Sequence, residues 1–162
     1  MGQGNRTQTR GAGRGEAWLA GQVVLFAAIA LAPRRIPGLP EWPAALRLPS
    51  QAAGMLLGAA GALLALVGAR ALGPSLTIFP RPRDDGTLVQ DGIYGVVRHP
   101  IYTGVLLGAL GWSLLRTSLP ALALTGALAL FFDRKARREE IWLEQKYPEY
   151  GAYRARVRRR IF

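Results

Sequence analysis

Four uncharged apolar runs divide this chain, at residues 17–32, 52–69, 101–115 and 119–132. They hold 16, 18, 15 and 14 residues. A helix rises about 1.5 Å per residue and the hydrocarbon core of a bilayer is about 30 Å thick, so the second run nearly spans alone and the first does so with its flanks. The third and fourth runs are short, and only Arg116, Thr117 and Ser118 part them. They read as a helical hairpin that dips into the bilayer or is lengthened by adjoining helical turns. The fold class this predicts is all-α: a polytopic integral membrane protein of about four membrane segments, the last two a short hairpin, with a cytosolic carboxy-terminal helix.

The polar stretches punctuate this pattern. Residues 1–15 are rich in Gly, Arg, Gln and Thr and read as a disordered basic terminus, leaving 16–162 as one transmembrane domain. Residues 33–49 carry five prolines, which predicts a kinked outer loop with Trp42 at the interface. Residues 70–97 form the longest polar connection. Turn residues there alternate with Thr87-Leu88-Val89 and Ile93-Tyr94, so an ordered, folded-back loop is expected. Gly54, Gly58 and Gly61, and again Gly104, Gly108 and Gly111, have spacings that let helix backbones approach. Packing within one chain, a homodimer face and a ligand groove all fit that spacing. From Asp133 onward apolar Ile141, Leu143 and Tyr147 lie among charges. This predicts a helix that continues the fourth run and stops at Pro148.

Charge sharpens the topology. The chain is 50% hydrophobic with a formal net charge of +11. Placing both termini in the cytoplasm puts 17 of the 21 basic residues inside and leaves Arg34, Arg35, Arg47 and Arg116 outside, as the positive-inside rule favours. Four apolar runs argue against nucleic-acid binding, and the basic tail is expected to lie on anionic headgroups. The absence of cysteine excludes disulfide and thiolate chemistry. Pro33-Arg34-Arg35 is a poor signal-cleavage site, so the first run is expected to be retained.

Chemistry concentrates in two places. Arg98-His99-Pro100-Ile101-Tyr102 opens the third run, and His99 is the chain's single histidine. No other His or Cys exists to complete a metal site. His99 can act as a general base or as a positioned hydrogen-bond donor, and an interfacial histidine without a role would look the same. Pro100 suits a first helical turn. Arg98 can clamp a carboxylate or a lipid phosphate. Tyr94 and Tyr102 can line a pocket or sit at an interface. Glu139-Glu140 lies among Arg134, Lys135, Arg137 and Arg138. One of its carboxylates can face the loop to bind an ammonium or ribose hydroxyls, although a solvated charged helix has the same composition.

Taken together, Leu88-Val89, Gly92, Tyr94, Arg98-His99-Pro100, Tyr102 and Gly104, followed by Glu139-Glu140, Leu143, Tyr147, Tyr150 and Tyr153, resemble the isoprenylcysteine carboxyl methyltransferase family. That family is related to the membrane phospholipid N-methyltransferases. The resemblance covers residues 79–162. It implies S-adenosylmethionine-dependent methyl transfer without a Rossmann domain, the cofactor lying between loop and carboxy-terminal helix. By position it implies cofactor contacts from Gly86, Thr87, Leu88, Val89, Tyr94, His99, Pro100, Ile101, Tyr102 and Glu139, and catalytic roles for His99, Arg98 and Glu140. The substrate side would fall to Lys135 and Arg138, near where prenyl-cysteine enzymes carry a basic residue, more often arginine. The expected acceptor is a lipophilic or membrane-embedded small molecule. Alternatives are a phospholipid N-methyltransferase, an NADPH-dependent membrane reductase and a non-enzymatic membrane anchor. Steroid-reductase-like proteins share the carboxy-terminal layout but show Arg-Pro-Asn-Tyr where this chain has Arg-His-Pro-Ile-Tyr.

Overall fold

The structure, a computed structural model, describes residues 15–77 and 85–162. The expected disordered terminus and Arg81 and Arg83 of the long connection lie outside the described residues. Five helices follow in order: α1 (Glu16–Leu31), α2 (Arg47–Leu72), α3 (Pro100–Leu115), α4 (Leu119–Lys146) and α5 (Tyr150–Arg156). Short 3-10 turns occupy Ala44–Leu46, Gly73–Ser75 and Gly92–Gly95. Among the described residues there is no strand. One helical stretch, Ala44–Ser75, is long and apolar enough to cross a membrane by length and composition, with a mean hydropathy of 2.0; α1 and α3 are apolar but shorter.

The helices pack in the spatial order α2, α3, α4, α1. The α2–α3 contact is the closest, and glycine makes it so. A methyl built on Gly54 would lie 2.6 Å from the Gly111 carbonyl oxygen, and one on Gly61 would lie 2.5 Å from that of Gly104. Gly68 comes against Pro100 and Ile101. The contacting glycines therefore recur every seven residues along two antiparallel helices, the repeat that keeps one face on a partner. Gly58 and Gly108, equal members of the four-residue spacing, have open space where a Cβ would point. The contacting glycines are thus used inside the chain.

The α3–α4 hairpin turns at Arg116–Ser118, with Thr117 at φ 49°. Ser118 caps α4, accepting from the Ala121 N–H at 3.1 Å while its hydroxyl donates to the Pro33 carbonyl at 2.7 Å. Deeper in the hairpin, Ser113 and Thr125 pair at 3.0 Å, which satisfies two hydroxyls in an apolar setting. Helix α1 runs antiparallel to α4. Trp18 and Phe26 contact Phe131 and Phe132, and Leu106, Leu128, Phe132 and Ala136 form the core with Ile29 and Ile161. The outward faces stay apolar: Val23 and Val24 on α1, Met55, Leu56 and Leu63 on α2, and Leu130 on α4 are all exposed.

Two boundaries differ from expectation. The outer loop ends early, because Pro49 falls in the first turn of α2, where a missing N–H costs nothing. Helix α2 also runs on to Leu72, which shortens the long connection. As expected, α4 carries the fourth apolar run without a break into its charged half and ends before Pro148.

The two classes of glycine should separate in thermal melts of detergent-purified protein. Gly61→Ala is expected to cost about 1–3 kcal/mol by forcing α2 and α3 apart. Gly108→Ala is expected to be neutral, or to stabilise by about 0.5–1 kcal/mol through helix entropy.

Candidate active site

Pro100 starts α3 with its fixed φ, and upstream the chain turns at Asp91–Gly92, with Gly92 at φ 59°. Arg98 and His99 lie at the helix mouth. Their N–H groups donate to the Arg159 and Arg160 carbonyls at 3.0 and 2.9 Å, joining these two residues to the carboxy-terminal tail. Thr103 adds a hydroxyl bond to the Ile161 carbonyl. The tail is therefore not a free basic segment. Its backbone is built into the site, while the side chains of Arg158 and Arg159 remain exposed.

At the centre lies a buried charge cluster. Arg98 Nε donates to Glu140 Oε1 at 2.9 Å, and its Nη1 donates to the Val157 and Arg158 carbonyls at 2.5 and 3.0 Å. His99 Nε2 lies 3.3 Å from the same Glu140 oxygen. Arg160 Nε donates to Glu140 Oε2 at 3.1 Å, and its Nη1 to Asp133 Oδ1 at 3.0 Å. Burial opposes ionisation of Glu140, but the hydrogen bonds from His99 and Arg98 outweigh it and hold the carboxyl down to about 2.

Glu139, the neighbour, faces a different environment. Burial pushes its pKa up, against the pull of His99, Tyr102 and Lys135. It accepts from the Tyr102 hydroxyl at 2.8 Å, and His99 Nδ1 lies 3.7 Å from the same oxygen. The His99 ring stacks on Tyr102, and Tyr102 stacks on Phe132, with centroids 5.3 and 4.6 Å apart. Lys135 Nζ sits 5.3 Å over the Tyr102 ring and donates to Gln22 Oε1 of α1 at 2.6 Å. Phe132, Lys135, Glu139 and Leu143 share one face of α4, spaced three and four apart.

That face, the α3 mouth, the end of α2, residues 86–89 of the connection and α5 enclose a cavity of about 250 Å³. Of the residues singled out from sequence, Gly86, Thr87, Leu88, Val89, Tyr94, Arg98, His99, Ile101, Tyr102, Lys135 and Glu139 line it. Pro100 is buried behind the wall against Gly68. Glu140 lies in the charge cluster under the floor. Arg138 is exposed and stacks its guanidinium 5.0 Å over Trp142, away from the lining. The wall is not confined to residues 79–162, since Leu19 and Gln22 of α1 and Leu72, Ser75, Leu76 and Thr77 also contribute.

Leu143, Tyr147, Tyr150 and Tyr153 of the motif also line the cavity, but their hydrogen bonds were not foreseen. Tyr147 donates to the Gly86 carbonyl at 2.6 Å, fastening the connection to the end of α4. Tyr153 donates to the Tyr94 carbonyl at 2.8 Å, and Tyr94 in turn to the Gly68 carbonyl at 3.4 Å. The Tyr150 hydroxyl is buried at the cavity wall and has no hydrogen-bond partner among the described residues. Gln22 left a signal in the sequence as the lone polar side chain within residues 17–32. Arg160 and Asp133 left none, because basic and acidic residues surround both.

Known proteins can be set beside this geometry. The chain is 39% identical over 75 residues to a protein-S-isoprenylcysteine O-methyltransferase of Schizosaccharomyces pombe, a match covering 45% of this chain and 32% of that protein. A probable protein-S-isoprenylcysteine O-methyltransferase of Oryza sativa subsp. indica is 36% identical over 76 residues, covering 46% of this chain and 40% of that protein. A cobalt-zinc-cadmium resistance protein of Cupriavidus metallidurans is 37% identical over 76 residues, covering 46% and 35%. The chain thus spans less than half the length of these relatives. The family profile described as phospholipid methyltransferase matches residues 49–150, which takes in α2, α3, α4 and the charge cluster's Arg98, His99 and Glu140. The chain belongs to the phospholipid methyltransferase family.

Proposed function

We propose that this protein is a membrane methyltransferase that uses S-adenosylmethionine and acts on a lipophilic acceptor bearing an anionic group. The observation that carries the reading is the pairing of two adjacent carboxylates with opposite environments. Glu140 is locked by Arg98, His99 and Arg160, while Glu139 faces the cavity beside an aromatic stack. The residues fit the cofactor. Glu139 offers a carboxylate to its ammonium, and the unpartnered Tyr150 hydroxyl offers a buried donor. The segment Gly86–Val89 offers backbone groups, and Tyr94 and Tyr147 supply apolar walls.

S-adenosylmethionine supplies a methyl group already activated on a sulfonium sulfur, so the chain's own task is alignment and exclusion of water. Lys135 stands in the cavity as a buried cation, held by the neutral amide of Gln22. It is placed to orient an acceptor carboxylate, which needs no base. This favours O-methylation over transfer to an amine, whose proton Glu139 or His99 would have to accept. An apolar cavity of about 330 Å³, lined by Phe26, Ile29, Ala30, Val105, Ala109 and Trp112, continues along the same faces of α1 and α3 that bear Gln22 and Tyr102. It is suited to the acceptor's apolar part.

In this reading the protein is multi-pass, with α1, α2 and the α3–α4 hairpin in the bilayer. Both termini and the cavity lie on the cytoplasmic side, and Arg158 and Arg159 face anionic headgroups. Glu140 and Arg98 act as positioning residues beneath the pocket, and Arg138 lies outside the acceptor site.

Calorimetry of S-adenosylhomocysteine with detergent-purified protein should show saturable binding, weakened about tenfold to a hundredfold in Glu139→Ala. Absence of binding to folded wild type would refute the reading, and NADPH would be the next ligand to test. Binding should also weaken as the pH falls through Glu139's raised pKa, above the ordinary carboxylate value of about 4.3. Glu139→Gln should remove that step.

The pKa shift at Glu140 runs the other way and acts on stability. Its pKa in the fold is depressed, so its contribution is complete above about pH 4.3 and is lost as the pH falls toward about 2. Glu140→Ala is expected to cost about 3–5 kcal/mol at neutral pH, because it strands Arg98 in the interior. It should also flatten the acid limb of the melting profile.

A further inference from the structure

At the end of the bundle opposite the cofactor cavity, a second polar cavity of about 190 Å³ is lined by Arg34, Arg35, Arg47, Glu41, Gln51, Trp42 and Thr117. Three guanidinium groups share it with one carboxylate. Arg35 is paired with Glu41 at 3.3 Å, which leaves Arg34 and Arg47 in excess. These are three of the four basic residues that the topology assigns to the outer face, where positive charge is disfavoured. They come from separate parts of the chain, the α1–α2 loop and the first turn of α2, and meet at the α3–α4 turn. At that turn Thr117, a β-branched residue, is held at φ 49°, a conformation such residues rarely adopt and one that clusters at ligand clamps. Arg116, the fourth outer basic residue, adjoins it and binds the Ala32 carbonyl at 3.3 Å. Trp42 closes the cavity with its indole N–H directed to Ser50 at 3.1 Å. The neighbouring surface is apolar, with Leu31, Leu46 and Leu48 exposed.

We infer that this cavity is a binding site for the phosphate of an anionic glycerophospholipid, separate from the methyl-transfer site. Arg34 and Arg47 contact the phosphate oxygens, guanidinium being the group best matched to them. The acyl chains lie along the exposed leucines, and Gln51 is left to reach a polar headgroup. A free phosphate ion offers the same oxygens to the arginines but would leave the leucines uncovered. The site is built from residues 34–51 and 117, so on its amino-terminal side it extends beyond residues 49–150, which the family profile matches.

The full-length protein, purified in a neutral detergent, can be melted with added dioleoylphosphatidylglycerol, dioleoylphosphatidylcholine or inorganic phosphate. Phosphatidylglycerol is expected to raise Tm by about 5 °C over phosphatidylcholine. Arg34→Gln/Arg47→Gln should lose that increment while keeping the Tm measured in phosphatidylcholine, and Arg158→Gln/Arg159→Gln in the basic tail should keep the increment. Brominated phosphatidylglycerol should also quench a saturable fraction of the tryptophan emission, and Trp42→Phe should remove that fraction. This second readout does not depend on melting. Equal Tm in both lipids, an increment that survives in the loop variant, or one that disappears in the tail variant would overturn the assignment. A full shift from inorganic phosphate alone would make this a free-anion site and overturn the lipid.

Discussion

The buried contact between Arg98 and Glu140 is the constraint on which the rest of the site depends. It joins three stretches that are far apart in sequence: the mouth of α3, the charged half of α4 and the carboxy-terminal tail. Two charges withdrawn from water are stable only if their remaining donors and acceptors are also met. Here two backbone carbonyls of the tail, His99 and Arg160 meet them. The tail is consequently a structural part, and α5 is carried into place with it. Tyr150 and Tyr153 come to the cavity wall, and His99 is oriented between the two adjacent glutamates.

The cluster stands where α4 changes from apolar to charged, and that placement follows from the apolar packing. Glycine contacts at intervals of seven draw α2 against α3 and fix their register. The short α3–α4 turn then brings Tyr102 opposite Phe132 and Glu139. A cavity at this level has one end among aromatic and charged groups, and an apolar groove leads away from it between α1 and α3. An amphiphilic ligand suits such a gradient. The reverse end of the bundle has its own arginine-lined cavity, so both polar ends of the helices hold organised charge.

Much of this was legible in the sequence because apolar periodicity and local turn chemistry are short-range signals. The first four helices, the hairpin turn at Arg116–Ser118 and the uninterrupted α4 could be read from residue type and spacing, whereas the expected cavity lining came from the family resemblance and α5 had no clear local signal. The His-Pro step marked the α3 mouth through the fixed φ of Pro100. The resemblance paired Glu139 and Glu140 with it and gave them separate roles, but residue spacing alone could not divide them. Adjacent helical positions point about 100° apart, and only packing decides which of them meets the arginines. The parts that spacing left open are tertiary. Gly58 and Gly54 are equivalent in spacing, yet only one has a backbone facing its Cβ direction. A basic tail reads as a headgroup-binding segment, and nothing local shows that Arg98 also needs its carbonyls. Gln22 was a lone polar residue in an apolar run, and its meaning depended on Lys135, 113 residues away.

In the proposed function the cavity beside Glu139 holds the methyl donor. A structure of the detergent-solubilised protein with saturating S-adenosylhomocysteine tests this most directly. Ligand density between Gly86–Val89, His99 and α4, with the amino group within hydrogen-bond reach of Glu139 and the Arg98–Glu140 contact intact, is the predicted result. Density at any other place, or a cavity that stays empty while the fold is unchanged, would contradict it.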